Sequence, residues 1–189
     1  FLTALLLWFF SYKGKGTPQD YGYYFYYSGK SLAQKNHYGL AGLFLRTAVR
    51  IYPDLGNAYL MLGFLHTRQG RFALAEQDYT AALRHNLTPI NRHITCNNLG
   101  SIYLEDMDRF EDAARAFEQS IQSAPGLIDP DVDPHNGLAR AYAALGEYDK
   151  AEAAAQESIR LHPRRVGGCY NLAQVYLCQN DLPAAQAMH

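Results

Sequence analysis

The most constraining feature of this sequence is a recurring slot for a small residue. Gly29, Gly63, Gly100, Ala139 and Ala173 follow one another at separations of 34, 37, 39 and 34 residues. Each slot closes a similar run: Phe25-Tyr-Tyr-Ser-Gly29, Tyr59-Leu-Met-Leu-Gly63, Cys96-Asn-Asn-Leu-Gly100, Gly137-Leu-Ala139 and Tyr170-Asn-Leu-Ala173. Alanine and aromatic positions follow, such as Ala41 and Ala48, then Phe72, Ala75 and Tyr79, then Phe110, Ala113 and Phe117, then Tyr148 and Ala151. Pro53, Pro125 and Pro163 close three of the units. A period of this size marks a chain of stacked units, because one unit cannot bury its own apolar face.

Each unit holds two stretches with helical apolar spacing, joined by a short turn. Gly63 or Gly100 on the first helix lets the second approach closely, and Ala75, Ala113 and Ala151 are the facing small residues. Tyr79 and Phe117 fill space toward the next unit, and the prolines stop the second helices because they cannot continue the hydrogen-bond ladder. These recurring slots resemble the tetratricopeptide repeat, a helix–turn–helix unit, from about Tyr23 to His189. The resemblance implies an all-α fold: a right-handed superhelical solenoid of about five such repeats, preceded by an N-terminal apolar helix. The repeats are placed at 22–55, 56–89, 93–127 and 132–165, with an incomplete fifth at 166–189, after an apolar helix or membrane anchor at 1–16.

The departures are local. The turn Glu105-Asp-Met-Asp-Arg109 carries one extra residue, and extra residues fall around Thr88–Asn91 and from Gly126 to Pro134, where irregular twist is expected. The last helix begins with Asp181 as N-cap and Pro183 in its first turn, then stops at His189. Because such arrays need a polar cap, the natural chain is expected to continue.

The N-terminus is the second feature. Phe1 to Phe10 carries no charge, and Ser11-Tyr-Lys13-Gly-Lys15 follows. Ten residues are about half of the roughly 20 that a membrane span needs, so the tail of a transmembrane helix is expected, with a signal anchor or a soluble packing helix as alternatives. Lys13, Lys15, Lys30 and Lys35 against Asp20 alone would put this flank, and the repeats, on the cytoplasmic side. Six of the 15 Tyr lie in the first 27 residues. Trp8, Phe9, Phe10, Tyr12, Tyr23, Tyr24 and Tyr27 are therefore read as a membrane or partner interface, since such rings favour a wet apolar boundary.

Composition excludes several function classes. Lys+Arg 17 against Asp+Glu 18 lacks the basic excess of a nucleic-acid binder. Three Cys exclude a disulfide scaffold, and Cys96, Cys169 and Cys178 read as small buried hydrophobes. His93-Ile-Thr-Cys96 has ligand types without a second pair; His66 reads as standing in for an aromatic, and the other histidines as surface residues. Asp129-Pro-Asp131-Val-Asp133 lacks the Gly and distal Glu of a calcium loop and reads as a linker capping the next helix. Asn86-Leu-Thr88 is a chance sequon before Pro89. No phosphate loop or nucleophile elbow occurs, so no catalysis, metal or cofactor is expected.

The family resemblance implies that the first helices line a concave groove for a protein partner. Asn98 and Asn171 stand two residues before the small slot, similar to the asparagine ladder of peptide-binding members; Met61 and Gly137 interrupt it. An Asn amide pairs with both donor and acceptor of a peptide backbone. Asn97, Ser101, Asn136, Arg140, Tyr170 and Gln174 complete the expected groove, while packing between helices is the alternative role for Asn98 and Asn171. The family's carboxylate clamp is not matched, with Met61, Ile94 and Asp133 at its positions. The expected function is a non-enzymatic, membrane-anchored scaffold that assembles or stabilises a membrane protein complex. The alternatives are a non-catalytic arm of a larger membrane enzyme such as a glycosyltransferase, or a soluble periplasmic adaptor.

Overall fold

The computed structural model describes residues 16–129 and 132–179, and within them every regular element is an α-helix. The order is α1 (Pro18–Gln34), α2 (Tyr38–Ile51), α3 (Gly56–Arg68), α4 (Phe72–Arg84), α5 (Pro89–Glu105), α6 (Phe110–Ser123), α7 (Pro134–Ala144), α8 (Tyr148–Leu161) and α9 (Val166–Cys178). The apolar segment bearing Trp8, Phe9, Phe10 and Tyr12, and the region of Asp181 and Pro183, lie outside the described residues. Among the described residues no helix is long and apolar enough to cross a membrane. The chain divides into two compact units, Phe1–Leu87 and Thr88–His189.

Local chemistry starts and stops the helices. Three first helices begin with a capping side chain followed by proline. Thr17 accepts from the Asp20 N–H at 3.3 Å while Asp20 accepts from the Thr17 N–H at 2.7 Å, a capping box ahead of Pro18. Thr88 accepts from the Asn91 N–H at 3.2 Å ahead of Pro89. Asp133 accepts from the Asn136 N–H at 3.1 Å ahead of Pro134. Thr88 thus works as a helix cap, and the acidic linker does cap α7. Pro53, Pro125 and Pro163 each follow the end of a second helix.

The turns inside the pairs share one geometry. Asn36, Gly70, Asp108 and Gly146 adopt left-handed backbone, with φ of 61°, 69°, 51° and 76°, each two residues before the second helix. In three turns the following residue donates back five positions, His37 to Leu32, Arg71 to His66 and Glu147 to Tyr142, at 2.9 Å. This Schellman closure satisfies carbonyls that the helix end leaves free. The extra residue of the α5–α6 turn stretches that closure by one position, Arg109 to Tyr103, also at 2.9 Å. Arg109 then lies 4.3 Å from the Tyr103 ring centre and bonds Asp112 at 2.7 Å.

In the first unit α1 packs on α2, α3 on α4 and α2 on α3. Ala41, Leu45, Ala48, Ala58, Ala75 and Ala82 are fully enclosed. Tyr79 covers Gly63, where an added Cβ would stand 2.6 Å from the ring. In the second unit α5 packs on α6, α6 on α7, α7 on α8 and α8 on α9. Phe117 is its keystone: a Cβ on Gly100 would stand 2.9 Å from the ring, and one on Gly137 2.4 Å. The ring therefore fills the gap between one first helix and the next.

Two sequence expectations need correction. His93 is not a surface residue; it is 2% exposed, with Nδ1 donating to the Ser120 carbonyl at 2.9 Å. The 27-residue separation of the two hid a polar tie between paired helices. Cys96 is buried as expected, but Cys169 is half-buried and Cys178 exposed near the end of α9.

Gly137→Ala would force a methyl into the Phe117 ring. It should destabilise the protein by about 1–3 kcal/mol, read as a lower urea midpoint with unchanged slope.

Candidate functional site

The expected groove residues of the second unit come from three first helices, α5, α7 and α9. α7 packs beside both of the others. Two polar bridges join them, each spanning 35 residues of sequence. Arg140 on α7 donates to Glu105 on α5 at 2.6 Å. Asn171 on α9 donates through Nδ2 to Asn136 on α7, 2.8 Å to Oδ1 and 3.2 Å to the carbonyl. The Asp133 cap fixes the start of α7 beneath Asn136, and Asp133 also accepts from the Ser158 hydroxyl at 2.7 Å.

The predicted residues therefore take two positions. Asn171 is 8% exposed and its amide is engaged by Asn136. Asn97, Asn98, Ser101 and Asn136 are half-buried, whereas Arg140, Tyr170 and Gln174 are exposed. Tyr170 shows 62% of its surface, and its hydroxyl accepts from Gln174 at 3.1 Å. The surface so built offers amides, one hydroxyl, an Arg–Glu pair and an open aromatic ring. Glu105 was missed because it read as a turn residue. Its distance of 35 residues from Arg140 was the available signal.

In the first unit the tyrosine cluster separates by helical phase. Phe25 and Tyr26 are buried, and burial pushes the Tyr26 phenol above its usual range. Tyr24 and Tyr27 stay 54% and 60% exposed. Tyr23 is half-buried, its ring centre 6.2 Å from both Tyr27 and Tyr52. Met61 is half-buried on α3. His66 does not simply replace an aromatic: its Nδ1 donates to Asp78 on α4 at 2.5 Å. No group of three or more His, Cys, Asp or Glu among the described residues is arranged to hold a metal.

Helix pairs joined by tight turns, with small residues at the crossings, define an all-helical repeat protein. Sequence profiles of the tetratricopeptide repeat match residues 56–86, 104–165 and 166–188, together more than half of the chain. The chain belongs to the tetratricopeptide repeat family. No curated protein matches it in sequence. Among solved structures it is similar to a MamA protein, at 18% identity and a TM-score of 0.78, over 89% of this chain and 88% of that one. It is also similar to YrrB, a repeat protein with an unusual peptide-binding site, at 16% identity and a TM-score of 0.75, over 87% and 80% of the two chains. PilW, a widely conserved type IV pilus biogenesis factor, matches at 17% identity and a TM-score of 0.72, over 88% and 74%. At these identities the likeness is one of fold.

Two outcomes follow from the polar ties. Asn171→Ala removes a donor from half-buried Asn136 and should cost about 1 kcal/mol, read as a lower urea midpoint. Tyr142 donates to Glu118, and burial first, then that carboxylate, push its phenol from 10.0 up to about 12. A raised folded value means this stabilisation is complete below about pH 10 and lost toward about pH 12. Tyr142→Phe should flatten that alkaline decline in melting temperature.

Proposed function

We propose that this chain is a non-enzymatic scaffold whose repeats bind a protein partner. The observation that carries the reading is the α5–α7–α9 surface, where polar bridges link successive first helices and Tyr170 on α9 stays exposed. Such a surface offers backbone-matching amides next to a large rigid ring, the combination that recognises an extended peptide with little entropic cost. Asn97, Asn98, Ser101, Arg140, Tyr170 and Gln174 make the contacts. Asn136 and Asn171 hold the helices in register. The likeness to YrrB supports the same reading.

The partner belongs to a membrane complex, and the apolar segment Phe1–Phe10 attaches the chain to the bilayer, with the repeats on the cytoplasmic side. The uncharged run followed by Lys13 and Lys15 supports this, as do the exposed rings of Tyr24 and Tyr27 on α1. The likeness to PilW, a pilus biogenesis factor, is compatible with a role in assembly.

Asn98→Ala combined with Tyr170→Ala should abolish capture of the partner by the full chain while the melting temperature stays within a few degrees. Undiminished capture would remove the α5–α7–α9 surface from the reading. Deleting residues 1–16 should move the protein from the membrane fraction to the supernatant, and an unchanged membrane fraction would exclude the anchor.

A further inference from the structure

The first unit contains a crevice of about 220 Å³ lined in part by Tyr38, Arg46, Leu62, His66, Gln69 and Arg71. No Asp or Glu lines it, although Arg46 and Arg71 do. Arg109, Arg115, Arg140 and Arg160 each meet a carboxylate. Among the described residues Arg46 and Arg71, like Arg50, Arg68 and Arg84, form no ion pair, but only Arg46 and Arg71 of these line the crevice. The Arg46 guanidinium folds back along α2, and a Cβ on Gly42 would stand 3.3 Å from its Nη1. Asp78 feels the Arg46 charge, and its Oδ2 is held by His66 Nδ1. Leu62 and Leu65, 4% and 1% exposed, add an apolar wall.

The sequence charge has the same bias. Residues 1–87 carry nine Lys and Arg against four Asp and Glu, while residues 88–189 carry eight against fourteen. A near-neutral total therefore hides a basic first unit. Guanidinium forks match the two oxygens of a carboxylate, and such charge-assisted bonds are the strong ones.

We infer that this crevice binds the carboxylate of a glutamate side chain in an acidic segment of a protein partner. Arg46 and Arg71 take the oxygens, Gln69 stands at the rim, and Leu62 and Leu65 pack against the methylenes. The inference rests on the protein-binding reading above but uses no residue of the second unit.

The test is titration of the full chain with a labelled oligoglutamate peptide. Oligoglutamine and a phosphoserine peptide of equal length serve as comparisons. Oligoglutamate should bind, and Arg46→Gln or Arg71→Gln should each weaken it about tenfold. Arg68→Gln, which removes an equal charge outside the crevice lining, should leave binding unchanged. Gly42→Ala, which removes no charge but crowds Arg46, should weaken it. Equal losses in Arg46→Gln and Arg68→Gln would reduce the effect to diffuse attraction and overturn the site, as would no binding at all. Tighter binding of the phosphoserine peptide would overturn the choice of carboxylate. The Asn98→Ala, Tyr170→Ala protein should bind oligoglutamate normally, so loss of partner capture there and loss of oligoglutamate binding here are separate results.

Discussion

The second unit depends on one aromatic ring pressed against glycine backbone. Phe117 lies over Gly100 and Gly137, each of which would clash with it if it carried a Cβ. The ring is 2% exposed, so nearly all its apolar surface is removed from water. Burying a Phe side chain contributes roughly 1.5–3 kcal/mol. The glycines lose backbone freedom on folding, at about 0.5–1 kcal/mol each relative to Ala. The balance stays favourable although one ring must cover two glycines on successive first helices. Tyr79 covers Gly63 similarly, and its hydroxyl meets that of Thr67 at 3.3 Å.

Polar ties then fix what apolar contact leaves loose. His93 with Ser120, Ser158 with Asp133, and Asn171 with Asn136 join helices that sequence separates by 25 to 35 residues. Each lies at a buried or half-buried position where a missing partner would be expensive. The same bonds that stabilise the second unit also align Asn136 with the neighbouring first helices. Stability and the candidate surface thus share residues on α7.

Much of the fold was legible because small, aromatic and proline slots obey steric rules within one unit. The helix ends at Pro53, Pro125 and Pro163, and the extra residue before Arg109, could be read directly. The candidate surface was less legible. Whether Asn171 meets a ligand or Asn136 depends on the side chain one repeat away, and periodicity alone does not say which neighbour arrives. His93 shows the same difficulty, since an isolated histidine on an apolar helix carries no sign of its distant serine. Arg46 and Arg71 stood apart only once the fold had placed both in one crevice lined by no carboxylate.

The α5–α6 turn has a consequence for how such chains vary in length. Its extra residue is absorbed by moving one backbone bond a single position, with Asp108 still in the left-handed conformation two residues before the helix. The helices on either side keep their pairing, and Phe117 still reaches Gly100. The turn therefore behaves as a slack point, where residues can be gained without propagating an error into the core. A short reporter sequence grafted there would ride on the surface, while the same insertion beside Gly137 would displace the ring on which the unit closes.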